Sequence, residues 1–201
     1  YDSDAVKTDL SAFVKATVLL AEGFSFFGDL QYRFVRYFTD GINDKFYENE
    51  DGTYTNQRLD INQKYNFFNP KGGFEYSRGR SRAFVSVAWS HREPERNNFT
   101  DNGAYPAPKP ESLLDYELGY NFGGKVFQAG MTAYYMAYRN QFVQTGAISD
   151  IGEALTTNIA RSYRLGLEIT ADLHPLSWMD IFADAALSRN RILDFDEQAE
   201  D

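Results

Sequence analysis

Residues 112–122, Ser112-Leu113-Leu114-Asp115-Tyr116-Glu117-Leu118-Gly119-Tyr120-Asn121-Phe122, place apolar side chains at every even position from Leu114 to Phe122. Asp115, Glu117, Gly119 and Asn121 take the odd positions between them. A period of two belongs to a β-strand, whose successive side chains point to opposite faces; a helix would mix the two sets. Residues 160–173 repeat the pattern, with Tyr163, Leu165, Leu167, Ile169, Ala171 and Leu173 opposite Ser162, Arg164, Gly166, Glu168, Thr170 and Asp172.

The same parity extends outward from these two segments. Residues 8–20 set Leu10, Val14 and Val18 against Asp9, Lys15 and Thr17, and residues 24–37 set Phe24, Phe26 and Leu30 against Ser25, Asp29 and Arg33. Residues 82–92 set Val85, Val87 and Trp89 against Ser86, Ser90 and Arg92. Residues 125–142 set Phe127, Met131 and Tyr135 against Gln128, Gly130 and Thr132. Residues 178–190 set Ile181, Ala183, Ala185 and Leu187 against Asp180, Asp184, Ser188 and Asn190. In residues 64–77, Pro70, Gly72 and Gly73 interrupt the alternation and predict a bulge or bend. The count is about eight strands, several longer than the roughly 5–6 residues usual in soluble sheets.

The connections alternate as well. Short links at 21–23, 78–81, 123–124 and 174–176 are separated by long segments at 38–62, 93–111 and 143–159. Short turns on one rim and long loops on the other describe a transmembrane barrel with periplasmic turns and extracellular loops. Its apolar face meets lipid and its charged face a wet lumen, the reverse of a soluble sheet. Aromatics near the strand ends (Phe24, Phe26, Trp89, Tyr120, Phe122, Trp178) suit interfacial belts. Charges of both signs on the polar face favour a wide barrel, since a narrow one holds only paired charges. Two alternatives stay open at this level: a self-contained eight-stranded outer-membrane barrel for adhesion or anchoring, and a soluble β-barrel binding module.

Composition removes several other classes. The chain has 201 residues and a net charge of −9, so no basic surface offers itself to phosphate backbones, and nucleic acid is not a partner. It has no cysteine, and its two histidines, His91 and His174, lie far apart. Cysteine-ligated metal sites, thiol nucleophiles and histidine clusters are thereby excluded. The mean hydropathy is −0.51 and no apolar run approaches the roughly 18 residues of a spanning helix.

Particular residues carry a further signal. Phe67-Phe68-Asn69-Pro70-Lys71-Gly72-Gly73-Phe74-Glu75-Tyr76 resembles the Asn-Pro-Lys-(small)-Gly strand of TonB-dependent outer-membrane receptors. Ser90-His91-Arg92-Glu93-Pro94-Glu95-Arg96-Asn97-Asn98-Phe99-Thr100-Asp101 resembles their Arg-Glu-Pro segment, in a form associated with Bacteroidetes members. Pro110-Glu111-Ser112-Leu113-Leu114-Asp115-Tyr116-Glu117-Leu118-Gly119-Tyr120 is similar to their Pro-Glu strand. Tyr134-Tyr135-Met136-Ala137-Tyr138-Arg139-Asn140-Gln141-Phe142 and Asn158-Ile159-Ala160-Arg161-Ser162-Tyr163-Arg164-Leu165-Gly166-Leu167-Glu168 continue in the family's order, so that the resemblance spans most of residues 63–190.

The resemblance implies an all-β, antiparallel, partial barrel: residues 1–201 as one segment of a plugged barrel of about 22 strands in the bacterial outer membrane. Its implied partners are outer-membrane lipid, a plug domain and further strands outside this segment, and the TonB complex acting through an N-terminal region. No TonB box, plug or final aromatic-ended strand is recognisable between Tyr1 and Asp201. The implied activity is uptake of a large scarce nutrient, a metal chelate such as an iron–siderophore complex by family prevalence, or a glycan in some branches. No enzymatic step and no cofactor are implied.

Site residues are few. Arg92 and Glu93 close a strand beneath a long loop and are candidates for substrate contact, although the Glu93-Pro94 step also ends the strand, and a structural charge pair or turn suits them better. The acidic stretch Asp40, Asp44, Glu48, Glu50 and Asp51 lacks the ligand register of a calcium loop and reads as a solvated hairpin turning at Asp51-Gly52. No Ser/His/Asp set lies in a nucleophile-elbow context. The Asn98-Phe99-Thr100 sequon carries no weight in such a protein.

If the faces are assigned correctly, Leu167→Lys or Ala183→Lys destabilises the lipid-embedded protein by about 2–4 kcal/mol, the range for a cation at the bilayer midplane. Asp184→Ala is mild. Denaturant unfolding in lipid vesicles measures all three, and equal tolerance at the three sites would invert the assignment.

Overall fold

The computed structural model describes residues 2–100, 107–148 and 154–193. Eight strands run in order: β1 (Ser3–Ala21), β2 (Phe24–Glu48), β3 (Tyr54–Arg78), β4 (Ser81–Arg92), β5 (Glu111–Gly123), β6 (Phe127–Ile148), β7 (Ala154–Leu176) and β8 (Met179–Leu193), with one short helix, α1 (Arg96–Thr100), between β4 and β5. They form one antiparallel sheet in sequence order with β1 and β8 at its edges. A self-contained eight-stranded barrel would pair its first strand with its last, so that alternative does not describe this chain.

Register converts the alternation of each strand into a common surface. Phe74, Val85, Leu118, Ala133, Leu167 and Leu187 are partners in turn and form one row across β3 to β8. Tyr76, Ala83, Tyr120, Met131, Ile169 and Ala185 form the next. Leu118 is 60% exposed and Leu187 70%, and a contiguous apolar surface of this kind is a face made for lipid. Phe127 pairs with Leu173 at its lower margin, and Tyr135 meets Tyr163 at its upper margin with ring centroids 6.0 Å apart. From Leu173 to Tyr163 the strand climbs about ten residues, about 25 Å of membrane height at roughly 3.3 Å per residue and a tilt of about 40°.

The strands outrun their expected ends on the long-loop side. The segment 38–62 is almost all strand, with the turn confined to residues 49–53 between β2 and β3. In 143–159, pairing between β6 and β7 continues through Gln144↔Thr156 to Ile148↔Ala154, with a register shift on the way. Outside the apolar layer both faces of a strand meet polar surroundings, so the ladder persists while the alternation that would reveal it fades. Residues 101–106 and 149–153 of the expected loops, and the acidic run from 194 onward, lie outside the described residues. On the other rim the links are short: Gly23 and Gly79 turn the chain at φ +75° and +60°, conformations that glycine adopts without strain. The link expected at 174–176 lies instead at 177–178, because β7 shifts register after Leu173 and runs on to Leu176.

Two compact units are distinguishable, Tyr1–Ala12 with Gln31–Phe68, and Phe13–Leu30 with Asn69–Asp201. In the first, Val35 and Leu59 are buried, Arg33 Nε donates to Asp9 Oδ1 at 3.0 Å, and the Tyr32 hydroxyl donates to Asn66 Oδ1 at 2.7 Å. The second holds the apolar rows described above, continued by Phe26 against Phe74 at 5.4 Å between ring centroids.

No bulge lies at Gly72 and Gly73 in the β3–β4 ladder, where Lys71 through Arg78 pair without a shift; Pro70 stands just beyond that paired run. Gly73 serves packing instead: a Cβ there would stand 2.5 Å from the Phe27 ring. The same arrangement recurs along the polar face. Phe84 is the partner of Gly119 and lies so close that a Cβ would meet its ring at 2.1 Å. Tyr134 is the partner of Gly166, where a Cβ would meet its hydroxyl at 2.5 Å. An aromatic ring laid over a strand glycine covers backbone that no side chain shields.

Gly119→Ala therefore forces Phe84 aside and destabilises the protein by about 1–3 kcal/mol, the usual effect of overpacking. Phe84→Ala in the same background recovers part of the loss, a coupling that a double-mutant cycle of denaturant midpoints reads directly.

Candidate functional site

The polar face carries charges that pair across strands. Lys71 Nζ stands 3.8 Å from Glu117 Oε2, spanning β4, where the buried Ser86 donates its hydroxyl to the same oxygen at 3.1 Å. Arg82 pairs with Glu75 at 2.7 Å and Lys15 with Asp29 at 3.1 Å. Asp115, between Ala88 and Met136 in register, buries its Oδ1 without a hydrogen-bond partner. A buried acceptor left open is the kind of group that a further layer of protein or water satisfies.

At the long-loop end, residues at the ends of four strands, β4 to β7, and of the two connections between them form one cluster. Arg92 Nη2 donates to Glu111 Oε2 at 3.2 Å, and the same oxygen accepts the Phe142 N–H at 3.1 Å. The Arg92 guanidinium lies 5.7 Å from the centroid of the Phe142 ring, within cation–π range. Asn158 ties the chain before β5 to β6 and β7: its Oδ1 accepts the Lys109 N–H at 2.7 Å, and its Nδ2 donates to the carbonyls of Lys109 at 3.0 Å and Asn140 at 2.7 Å. Asn140 itself sits at φ +52°, a left-handed conformation that asparagine tolerates better than most residues. Asn98 of α1 accepts the Glu95 N–H at 2.7 Å and donates to Thr156 at 3.2 Å. The sequon asparagine is thus a buried bracket for the β4–β5 connection.

Of the two residues read as candidate contacts, Arg92 keeps 52% of its side chain exposed beside its ion pair, whereas Glu93 is 6% exposed and faces away from solvent. Glu111, Phe142 and Asn158, which hold Arg92 and its surroundings, are not marked as site residues by any pattern in the sequence. Their signal lies in the segments that carry the family resemblance: Arg92, Glu111, Phe142 and Asn158 each come from a different one of those segments and meet here. The acidic stretch at 40–51 is the end of β2 running into the hairpin turn, where hydrogen bonds from the Thr53 hydroxyl and N–H hold the Asp51 carboxyl below the usual carboxylate range. The side chain of Asp44 lies outside the described residues, and among those described no group of three acidic or histidine side chains is placed to hold a metal.

The family model described as TonB dependent receptor-like, beta-barrel, matches residues 1–199. The chain belongs to this family. TonB-dependent receptors are proteins of the bacterial outer membrane, and the exposed apolar rows are the receptor's lipid-facing surface. Solved structures agree in fold. The copper transporter OprC superposes with a TM-score of 0.76 at 16% identity over 94% of this chain and 30% of its own. The ferric-catecholate import receptor Fiu of E. coli K12 gives 0.67 at 15% over 94% and 29%, and the ferric yersiniabactin uptake receptor FyuA of Yersinia pestis gives 0.67 at 14% over 97% and 28%. The receptor segment therefore spans under a third of these solved chains. No curated protein matches it in sequence.

Glu111→Ala removes the acceptor of both Arg92 and the Phe142 N–H and destabilises the receptor by about 1–2 kcal/mol, after discounting the half-exposed arginine. Arg92→Gln leaves the Phe142 bond in place and has less than about 1 kcal/mol of effect. Unfolding midpoints of the two variants in detergent should differ in that order.

Proposed function

We propose that residues 1–201 form one segment of the barrel domain of a TonB-dependent receptor that imports an iron–siderophore or similar metal complex. In this reading the polar face turns toward a plug domain in the lumen, with Asp115 and the Lys71–Glu117 pair beneath it, and further strands complete the wall beside β1 and β8. Import draws energy from the TonB complex through a region outside this segment. The protein moves its substrate without changing it chemically, so no residue here is assigned a catalytic role.

The observation that carries the reading is the family match over residues 1–199. The choice of a metal complex is supported by the names of the structural neighbours, a copper transporter and receptors for ferric catecholate and ferric yersiniabactin. The half-exposed Arg92 guanidinium, held at the long-loop rim by Glu111 and Phe142, supplies a fixed positive charge suited to an anionic chelate.

Deleting the gene in its native host is expected to abolish TonB-dependent uptake of at least one radiolabelled ferric chelate during iron starvation. Restoring it with Arg92→Gln should raise the concentration for half-maximal uptake several-fold at unchanged receptor abundance. Normal uptake of every ferric chelate tested, together with a growth defect on a glycan, would overturn the metal reading and leave the receptor family intact.

A further inference from the structure

On the polar face of β3 and β4 the basic side chains are matched by carboxylates: Lys71 by Glu117, Arg82 by Glu75 and Arg92 by Glu111. Arg164 of β7 holds the same face, in step with Ser162, Gly166 and Glu168, and is exposed. Its register partners are Met136 on β6 and Asn190 on β8, and the carboxylate of that row, Asp115, is the partner of Met136 on the far side. Two strand spacings of about 4.8 Å put Asp115 beyond ion-pair range. Among the described residues, the group that Arg164 touches is a ring. Its guanidinium lies 5.3 Å from the centroid of Tyr138, which stands one row nearer the long-loop rim. A cation laid on an aromatic face is held there while the N–H donors in its plane stay free.

Beside Arg164 opens a recess of about 390 Å³, lined in part by Gln141, Ser162, Asn190 and Ile192, with no aspartate or glutamate among its described lining residues. The Ser162 hydroxyl donates to Gln141 Oε1, which leaves the Gln141 amide with its N–H donors. Asn190 adds a second amide. A guanidinium and two amides without a carboxylate beside them suit the oxygens of an anion. The wall changes character immediately below. Toward the short-turn rim, the positions of this face in β5 to β8 carry Glu117, Glu168, Asp172 and Asp184 and neither lysine nor arginine. An anion moving down these strands meets its last positive charge at Arg164, and like charge opposes it beyond that point. Arg92 comes earlier on the same route: its partner Glu111 lies four residues along β5 from Asp115, about 13 Å nearer the long-loop rim at roughly 3.3 Å per residue.

We propose that Arg164 is a substrate-contact residue, a second positive station below Arg92, which grips the anionic oxygens of the incoming metal complex together with the amides of Gln141 and Asn190. The inference rests on reading the receptor as an importer of metal complexes and adds two things to it. The complex travels as an anion, and the row of Arg164 is the floor of the space that accepts it. Arg92 and Arg164 are engaged in succession, because the distance along the wall separates them.

The test measures uptake by the full-length receptor in its native host, with three radiolabelled probes: a ferric tris-catecholate and ferric dicitrate, both anionic, and an uncharged ferric tris-hydroxamate. For an anionic probe that the wild type imports, Arg164→Gln is expected to raise the half-saturating concentration about five- to tenfold at an unchanged maximal rate, as loss of a charged hydrogen bond does. Arg164→Glu should raise it further, and Arg164→Lys should stay within about twofold of wild type. Heat-modifiable gel mobility and receptor abundance check that each variant is folded and exported. Should Arg164→Gln fail that check, Asn190→Asp sets a carboxylate beside an intact Arg164 and is expected to raise half-saturation in the same way. Unchanged half-saturation in the folded variants, a fall in maximal rate alone, or an equal change with the uncharged chelate would sink the role of Arg164 and leave metal import standing. A wild-type receptor that imports only the uncharged chelate does the same. Import of none of the three probes by the wild type would instead remove the metal reading itself, and this inference with it.

Discussion

Every backbone amide that enters hydrocarbon must find its partner inside the protein, since no water is there to take its place. For a chain without long apolar helices, strand pairing is the remaining solution, and in this receptor segment the sheet is paired from β1 to β8 without a crossover. Pairing in turn fixes register, and register with a period of two decides which side chains meet lipid. The rows through Leu118 and Leu187 and the polar clusters around Glu117 both follow from that single requirement.

The two faces are built on different terms. The lipid face needs no interlocking, and alanine beside leucine serves it well. The polar face is crowded, and its glycines give that crowding a shape: Phe84 over Gly119 and Tyr134 over Gly166 fill space that a side chain at either position would contest. These glycines belong to the sequence segments by which the family is recognisable. A ring over a bare stretch of backbone gives a physical reason for glycine at those places.

Parity around Leu114–Phe122 and Tyr163–Leu173 marked the strands and separated their apolar face from their polar one, and the alternation of short and long connections supplied the antiparallel order. Parity failed where its physical basis fails. Beyond the membrane the selective difference between two faces disappears, so the upper halves of β2 and β3 looked like loop. Gly73 suggested a bend because a glycine's missing side chain can serve either flexibility or closeness, and nothing local distinguishes the two. The cluster of Arg92, Glu111, Phe142 and Asn158 joins residues far apart in sequence, and no periodicity reports such a meeting.

The uninterrupted ladder between β4 and β5, from Ser81↔Phe122 to Arg92↔Glu111, also limits how such a wall changes over generations. Substitution at one position alters one contact. Loss or gain of one residue in mid-strand would turn every later side chain to the wrong side, sending Glu117 into lipid and Leu118 toward the pore. An insertion or deletion is therefore tolerable at the rims, where no later side chain loses its face, and not within the span between them.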